Sequence, residues 1–187
     1  MLIILGESGS GKTTLQKYIC DNTNMKRAVS CTTRPKRDGE VQGKDYYFIN
    51  DEEFNKLESD GFFLETATYS SNWRYGLPKS ECTNDRVAIL TPKGLRKVKE
   101  YIKDNQGLYT YSIYLHVDRA SRLAKLVTTR PDLIDECIRR NIYDLGAFDG
   151  IKDEVDYVID NYEYRYSTNQ LFENIKKELI NKHGCQK

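Results

Sequence analysis

Leu2 to Leu5 run without a polar interruption and end at a glycine-rich turn that opens into a helical pattern. A short unbroken apolar run of this kind predicts a strand buried on both faces, then a loop and a helix. Arg27 to Cys31 reads as a weaker second strand, and Thr32 to Lys44, dense in Arg, Lys, Gly and Pro, as an ordered polar loop. Tyr46 to Ile49 and Gly61 to Tyr69 predict short β segments around a helix from Asp51 to Ser59, with Asp51 suited to cap it. Arg86 to Leu90 is a further apolar strand, and Thr91-Pro92 supplies an N-cap with proline at the first helical position, for a helix to about Asn105. Tyr109 to Val117 predicts a strand, Asp118 caps a helix to about Val127, Asp132 begins another helical stretch, and Val155 to Ile159 predicts the last strand. Leu171, Ile175 and Leu179, with Phe172 and Ile180 beside them, make the C-terminal segment an amphipathic helix. Strands alternating with helices predict an α/β fold with a mainly parallel central sheet flanked by helices.

Length and composition narrow the function. The 187 residues suit one domain, and 30% charged with 39% hydrophobic residues describe a globular chain. A formal net charge of +1 argues against nucleic acid as the partner. The opening apolar run is too short for a membrane span, so no membrane role is expected. The five cysteines (Cys20, Cys31, Cys82, Cys137, Cys185) show no CxxC spacing, which points away from a zinc site or a disulfide framework and towards the reducing cytoplasm.

Gly6-Glu7-Ser8-Gly9-Ser10-Gly11-Lys12-Thr13 matches GxxxxGK[ST] at every fixed position, between a buried strand and a helix. The glycines let backbone N–H groups turn around phosphates, and the helix N-terminus adds partial positive charge. Lys12 can reach the β and γ oxygens, and Thr13 can offer its hydroxyl to Mg²⁺. These residues and Thr14 are the expected ATP site, with Mg²⁺ arriving alongside ATP. Farther along, Arg34 and Arg37 are two cations three positions apart in a polar loop. Their forked donors suit one dianionic phosphate, with tyrosine hydroxyls completing the shell.

The segment from Ser30 through Arg34-Pro35-Lys36-Arg37 to Tyr46-Tyr47-Phe48 closely resembles the monophosphate-binding segment of the guanylate kinase family. Gly61-Phe62-Phe63-Leu64-Glu65 and Tyr75-Gly76 continue the resemblance in order. It implies a P-loop NTPase fold divided into a core (1–31, 78–127, 149–187), a small β-rich monophosphate-binding region (32–77) and a lid (128–148). It implies a kinase that phosphorylates GMP or dGMP with ATP, as a monomer or homodimer. Arg34, Arg37, Tyr46 and Tyr75 would hold the acceptor phosphate, while Ser30 and Glu65 face its base. A carboxylate at Glu65 can accept two hydrogen bonds from guanine and none of that pattern from adenine. Arg130 and Arg140 would be the lid arginines that meet the transferring phosphoryl group, with Arg139, Arg122 and Lys125 as other candidates, although a helix's solvated face also explains the last two. Asn161 would touch the adenine of ATP; a simple turn residue is the alternative.

Two base-facing positions depart from the family. Thr91 stands where an acidic residue ends the strand, and Leu77 where a hydroxyl residue follows the Tyr-Gly pair. A kinase of the same fold with another base preference, and a non-catalytic interaction module, are the alternatives. A GTPase switch would need a base-reading Asn/Thr-Lys-x-Asp string, which the chain lacks.

Overall fold

The computed structural model describes residues 1–68, 72–129 and 134–184. Strand β1 (Leu2–Leu5) is buried along its length and is followed by helix α1 (Lys12–Asn22). It lies at the centre of a five-stranded sheet with β2 (Lys26–Arg27), β7 (Arg86–Ile89), β8 (Tyr111–His116) and β9 (Tyr157–Asp160), in the order β2-β7-β1-β8-β9. Every pairing in this sheet is parallel. The period of two along β1 explains its continuous apolarity. Ile3 and Leu5 join one core with Ala88, Leu90, Leu95 and Val98, while Leu2 and Ile4 join another with Leu15, Ile19, Leu171, Phe172 and Ile175. Helix α3 (Pro92–Lys103) therefore covers one face, and α1 with α7 (Thr168–Gly184) covers the other.

The second sheet is mixed: β4 (Tyr47–Phe48), β3 (Cys31–Thr32), β6 (Arg74–Pro78) and β5 (Phe63–Thr68), in that order. Helix α2 (Asp51–Ser59) packs Phe54 on Phe63 with ring centroids 4.6 Å apart, giving this sheet its own small core with Cys31. Gly76 is needed in β6, because a Cβ there would stand 2.6 Å from the ring of Phe63.

Several local expectations change. The strand anticipated from Arg27 to Cys31 is two strands in different sheets, since Ala28 still donates to Val87 but Val29 turns its N–H to the carboxylate of Glu81. Asn50, not Asp51, caps α2, accepting from the N–H of Glu53 at 2.8 Å. β6 was legible only as a Tyr-Gly motif. Thr91 does cap α3, accepting from Gly94 at 3.1 Å, and Asp118 receives the N–H of Ser121 ahead of α4 (Arg119–Thr129). Helix α5 (Ile134–Tyr143) follows, then the short α6 (Ile151–Glu154). Tyr69 and Asp132 lie outside the described residues. On α7, Leu171, Phe172 and Ile175 are buried, but Ile180 faces solvent.

Candidate active site

The glycine-rich loop leaves the carboxyl end of β1, the edge at which open parallel sheets bind ligands. Gly6 passes so close to β8 that a Cβ would stand 2.6 Å from the carbonyl oxygen of Leu115. Gly11 takes a left-handed φ of 97° at the entry to α1. Distant residues hold the loop's carbonyls from outside. Arg122 Nη1 donates to Ser8 O at 3.1 Å and its Nε to Val117 O at 3.0 Å, while Tyr164 Oη donates to Gly9 O at 2.7 Å. The Lys125 ammonium lies 3.8 Å above the Tyr164 ring. Lys12 Nζ donates to Glu7 O at 2.8 Å. Burial lowers the Lys12 pKa to about 8, partly opposed by Asp144 and Glu7.

A cleft of about 860 Å³ runs from this loop to the second sheet. Gly6, Ser8, Gly9, Gly11, Lys12, Thr13 and Thr14 line one end, and Ser30, Arg34, Arg37, Tyr46, Glu65 and Tyr75 line the other, with Arg140 between elements of both. Glu7 and Ser10 belong to the loop but point inward. Glu7 Oε1 accepts from Tyr114 Oη at 2.9 Å, and Ser10 is 1% exposed.

On the acceptor side, Arg34 is buried beneath the loop it belongs to. Its guanidinium donates to Glu40 at 2.6 Å and to Pro35 O at 2.8 Å, and it faces the Tyr46 and Phe48 rings. Glu40 also accepts from Arg37 N at 2.8 Å, so one carboxylate closes residues 34–40 into a compact turn. Tyr46 and Tyr75 meet edge to face at 5.7 Å. Arg37 and Arg140 are brought together by Glu136, whose Oε1 is 2.7 Å from one and 2.6 Å from the other.

Glu65 closes the far end of the cleft. Burial raises its pKa to about 7 against the opposing charge of Lys93, and its Oε2 is buried without a hydrogen-bond partner among the described residues. A buried acceptor of this kind is the natural complement of a ligand's N–H. Ile89 and Thr91, at the end of β7, line the same part of the cleft. Leu77 does not. It is 1% exposed and packs in the core with Leu90 and Leu95, directly across the strands from Glu65.

The family model for guanylate kinase matches residues 1–178. The chain belongs to the guanylate kinase family. The guanylate kinase of Clostridium tetani is 29% identical over 194 residues, covering 100% of this chain and 87% of that protein. That of Rhodopseudomonas palustris is 30% identical over 168 residues, covering 86% and 74%. The crystal structure of guanylate kinase from Anaplasma phagocytophilum superposes with a TM-score of 0.66 at 21% identity over 97% of this chain and 85% of that one, which supports the fold. As a member of this kinase family the chain is a phosphotransferase with a P-loop NTPase fold.

Within the family frame, some expectations move. Arg130 lies outside the described residues. Arg139 is exposed and, among the described residues, bonds its own helix through Asp135 O, whereas Arg140 reaches the cleft. Arg122 is not on a solvated face; it is 5% exposed and braces the loop. Asn161 is 1% exposed and does not line the cleft, because its amide is spent on the backbone of Tyr166. Asp144 and Glu136 carry no local sequence signal, and the alternating Tyr162, Tyr164 and Tyr166 read as surface or helix-entry packing; tertiary contacts bring Asp144 and Glu136 to the cleft and Tyr164 to the loop. Among the described residues no group of three or more His, Cys, Asp or Glu could hold a metal, and no helix is long and apolar enough to cross a membrane.

Proposed function

We propose that the chain transfers the γ-phosphoryl group of ATP to GMP or dGMP, giving ADP and the corresponding diphosphate. The observation that carries this reading is one continuous cleft with Lys12 and Thr13 at one end, Arg34 and Arg37 farther along, and the unpartnered carboxyl of Glu65 at the far end. On this reading residues 32–77 form the acceptor region and residues 128–148 the lid around the same cleft. The acceptor's phosphate oxygen attacks the γ-phosphorus, the bond to the β–γ bridging oxygen breaks, and ADP leaves with that electron pair. The attacking oxygen is already anionic, so no general base is required. Accordingly His116 has a structural part, its Nδ1 being 3.0 Å from Tyr114 Oη.

The protein's share is positioning and charge. Lys12 and the loop amides would take the donor phosphates, Arg34, Arg37, Tyr46 and Tyr75 the acceptor phosphate, and Arg140 the charge that spreads over the transferred group. Thr13 fits Mg²⁺ as an exposed oxygen donor in the first turn of α1, and one protein ligand suits an ion that keeps several waters and binds through phosphates. Bound there with ATP, Mg²⁺ would neutralise charge on the phosphates. Glu65 would read guanine by accepting from N1–H and the exocyclic amine. Free thiols at Cys20, Cys31, Cys82 and Cys137 support a cytoplasmic setting, and we assign a monomer or homodimer.

A second reading rests on Ile89 and Thr91. Neither supplies the carboxylate that family members place at this strand end, so the base preference can differ while the reaction stays the same. A coupled assay with ATP, Mg²⁺ and each of the eight common monophosphates decides between them. The first reading expects GMP or dGMP to give the highest kcat/KM. Preference for another base would overturn the guanine assignment alone, and ADP release with none of them would overturn the kinase.

A further inference from the structure

Two carboxylates of the α5 region occupy the places where phosphates are expected. Asp144, one residue past α5, accepts from the backbone N–H of Ser8 at 2.6 Å, in the turn of the glycine-rich loop. Its charge also acts on Lys12. Glu136, in the first turn of α5, is held by Arg37 of the acceptor loop, with Oε1 at 2.7 Å and Oε2 at 2.9 Å from Nη2. The two acids are separated by about 12 Å of helical rise, so a single element reaches both anion sites. Tyr143, beside Asp144, adds a bond to Thr68 O of the second sheet at 3.2 Å.

We propose that Asp144 is a built-in phosphate surrogate: without nucleotide its carboxylate fills the loop's anion site, the donor must displace it, and Glu136 does the same at the acceptor's clamp. The surroundings of Asp144 are those of an anion site, with an N–H aimed at the oxygen and an ammonium close by, and they do not suit a cation. This rests on the reading of the loop as the ATP site. It goes further in predicting a cost for each substrate, because a site filled by its own side chain is competent only in the fraction of molecules where that side chain has left. It also predicts coupling. When one nucleotide displaces its carboxylate, α5 loses one of its two carboxylate anchors and the second nucleotide meets less resistance. ATP and GMP should then strengthen one another's binding by the same factor.

The test is calorimetric titration of the wild type, Asp144→Asn and Glu136→Gln with the Mg²⁺ complex of a non-hydrolysable imido analogue of ATP, with and without GMP. Asp144→Asn should bind the analogue about tenfold more tightly, the worth of a charge-assisted hydrogen bond, and should show weaker coupling to GMP. Glu136→Gln should tighten GMP binding in the same direction. Unchanged or weaker analogue binding by Asp144→Asn overturns the inference while leaving the ATP site intact. An analogue that binds none of the three proteins overturns the ATP reading and the inference with it. Hydrogen exchange gives a readout without any variant: the Ser8 amide should be protected in the nucleotide-free wild type, and exchange at the rate of a free loop amide overturns the surrogate.

Discussion

The hydroxyl of Tyr164 donates to the carbonyl of Gly9 at 2.7 Å, tying the turn after β9 to the centre of the glycine-rich loop. The ring also carries the Lys125 ammonium on its face, so one tyrosine anchors both the loop and a cleft-lining cation. Tyr164→Phe removes the hydrogen bond and keeps the ring. It should cost about 0.5–1.5 kcal/mol of stability and weaken ATP binding several-fold, with GMP affinity unchanged. Equal ATP dissociation constants for variant and wild type would show that the loop holds its shape without this tether.

Lys12 is half-buried where a cation is expensive, and this desolvation lowers its pKa to about 8. Lys12→Ala should lower kcat by about 10²–10³, the usual loss for a donor of this class, with the melting temperature little changed. In the wild type, affinity for ATP should fall as pH rises past about 8, because deprotonation removes the charge that meets the phosphates. Binding measured from pH 7 to 9.5 checks this, and a flat profile in that range would remove Lys12 from the donor site.

The two acceptor arginines should separate by stability. Arg34 is 3% exposed and shares Glu40 with the turn it supports, whereas Arg37 is a third exposed and its partner Glu136 keeps Arg140. Arg34→Ala should cost about 2–3 kcal/mol, because it empties a buried site and leaves Glu40 with only the Arg37 N–H as partner, or about 5–10 °C in Tm for a chain of this size. Arg37→Ala should move Tm little. Both should weaken GMP binding, and neither should weaken ATP binding. Thermal melts with paired titrations test the split, and a loss of ATP affinity matching the loss for GMP would place these arginines on the donor side.

Glu65 makes the base contact pH-dependent. Guanine needs an ionised acceptor for its two N–H groups, and burial keeps this carboxyl protonated up to about pH 7. GMP affinity should therefore rise as pH climbs through 7 and level off above it. Glu65→Gln should bind GMP more weakly and lose that part of the profile, while the titration of the GMP phosphate remains as an internal control. The same raised pKa means that the folded state holds this proton more tightly than the unfolded chain. Stability from this group is present at low pH and lost as pH rises from about 4.5 to 7. A GMP affinity with the same pH dependence in wild type and Glu65→Gln would show that Glu65 does not read the base.

What the sequence determined by itself was local or rested on a long family motif. The apolar run of β1, the phosphate loop, the span of α2 and the Thr91-Pro92 start of α3 each depend on neighbours within a few residues, so pattern and propensity suffice. The parallel sheet followed from strands alternating with helices. Arg34 and Arg37 were legible as paired cations in a polar loop, Tyr46, Glu65 and Tyr75 came from the family resemblance, and the fold brings all five to one cleft.

Tertiary structure decided whatever depends on which distant element lies opposite. Leu77 occupies a position read as base-facing, yet it is turned into the core because Leu90 and Leu95 pack against it. Arg122 has the spacing of an exposed helical cation but is drawn inward by the carbonyls of Ser8 and Val117. Asn161 resembles a ligand-facing turn residue and spends its amide on Tyr166. Asp144 lies 136 positions from Ser8 along the chain. Its place in the phosphate loop is set by the path of α5 across the cleft, because a carboxylate's partner is fixed by proximity in space and a one-dimensional pattern carries no record of it.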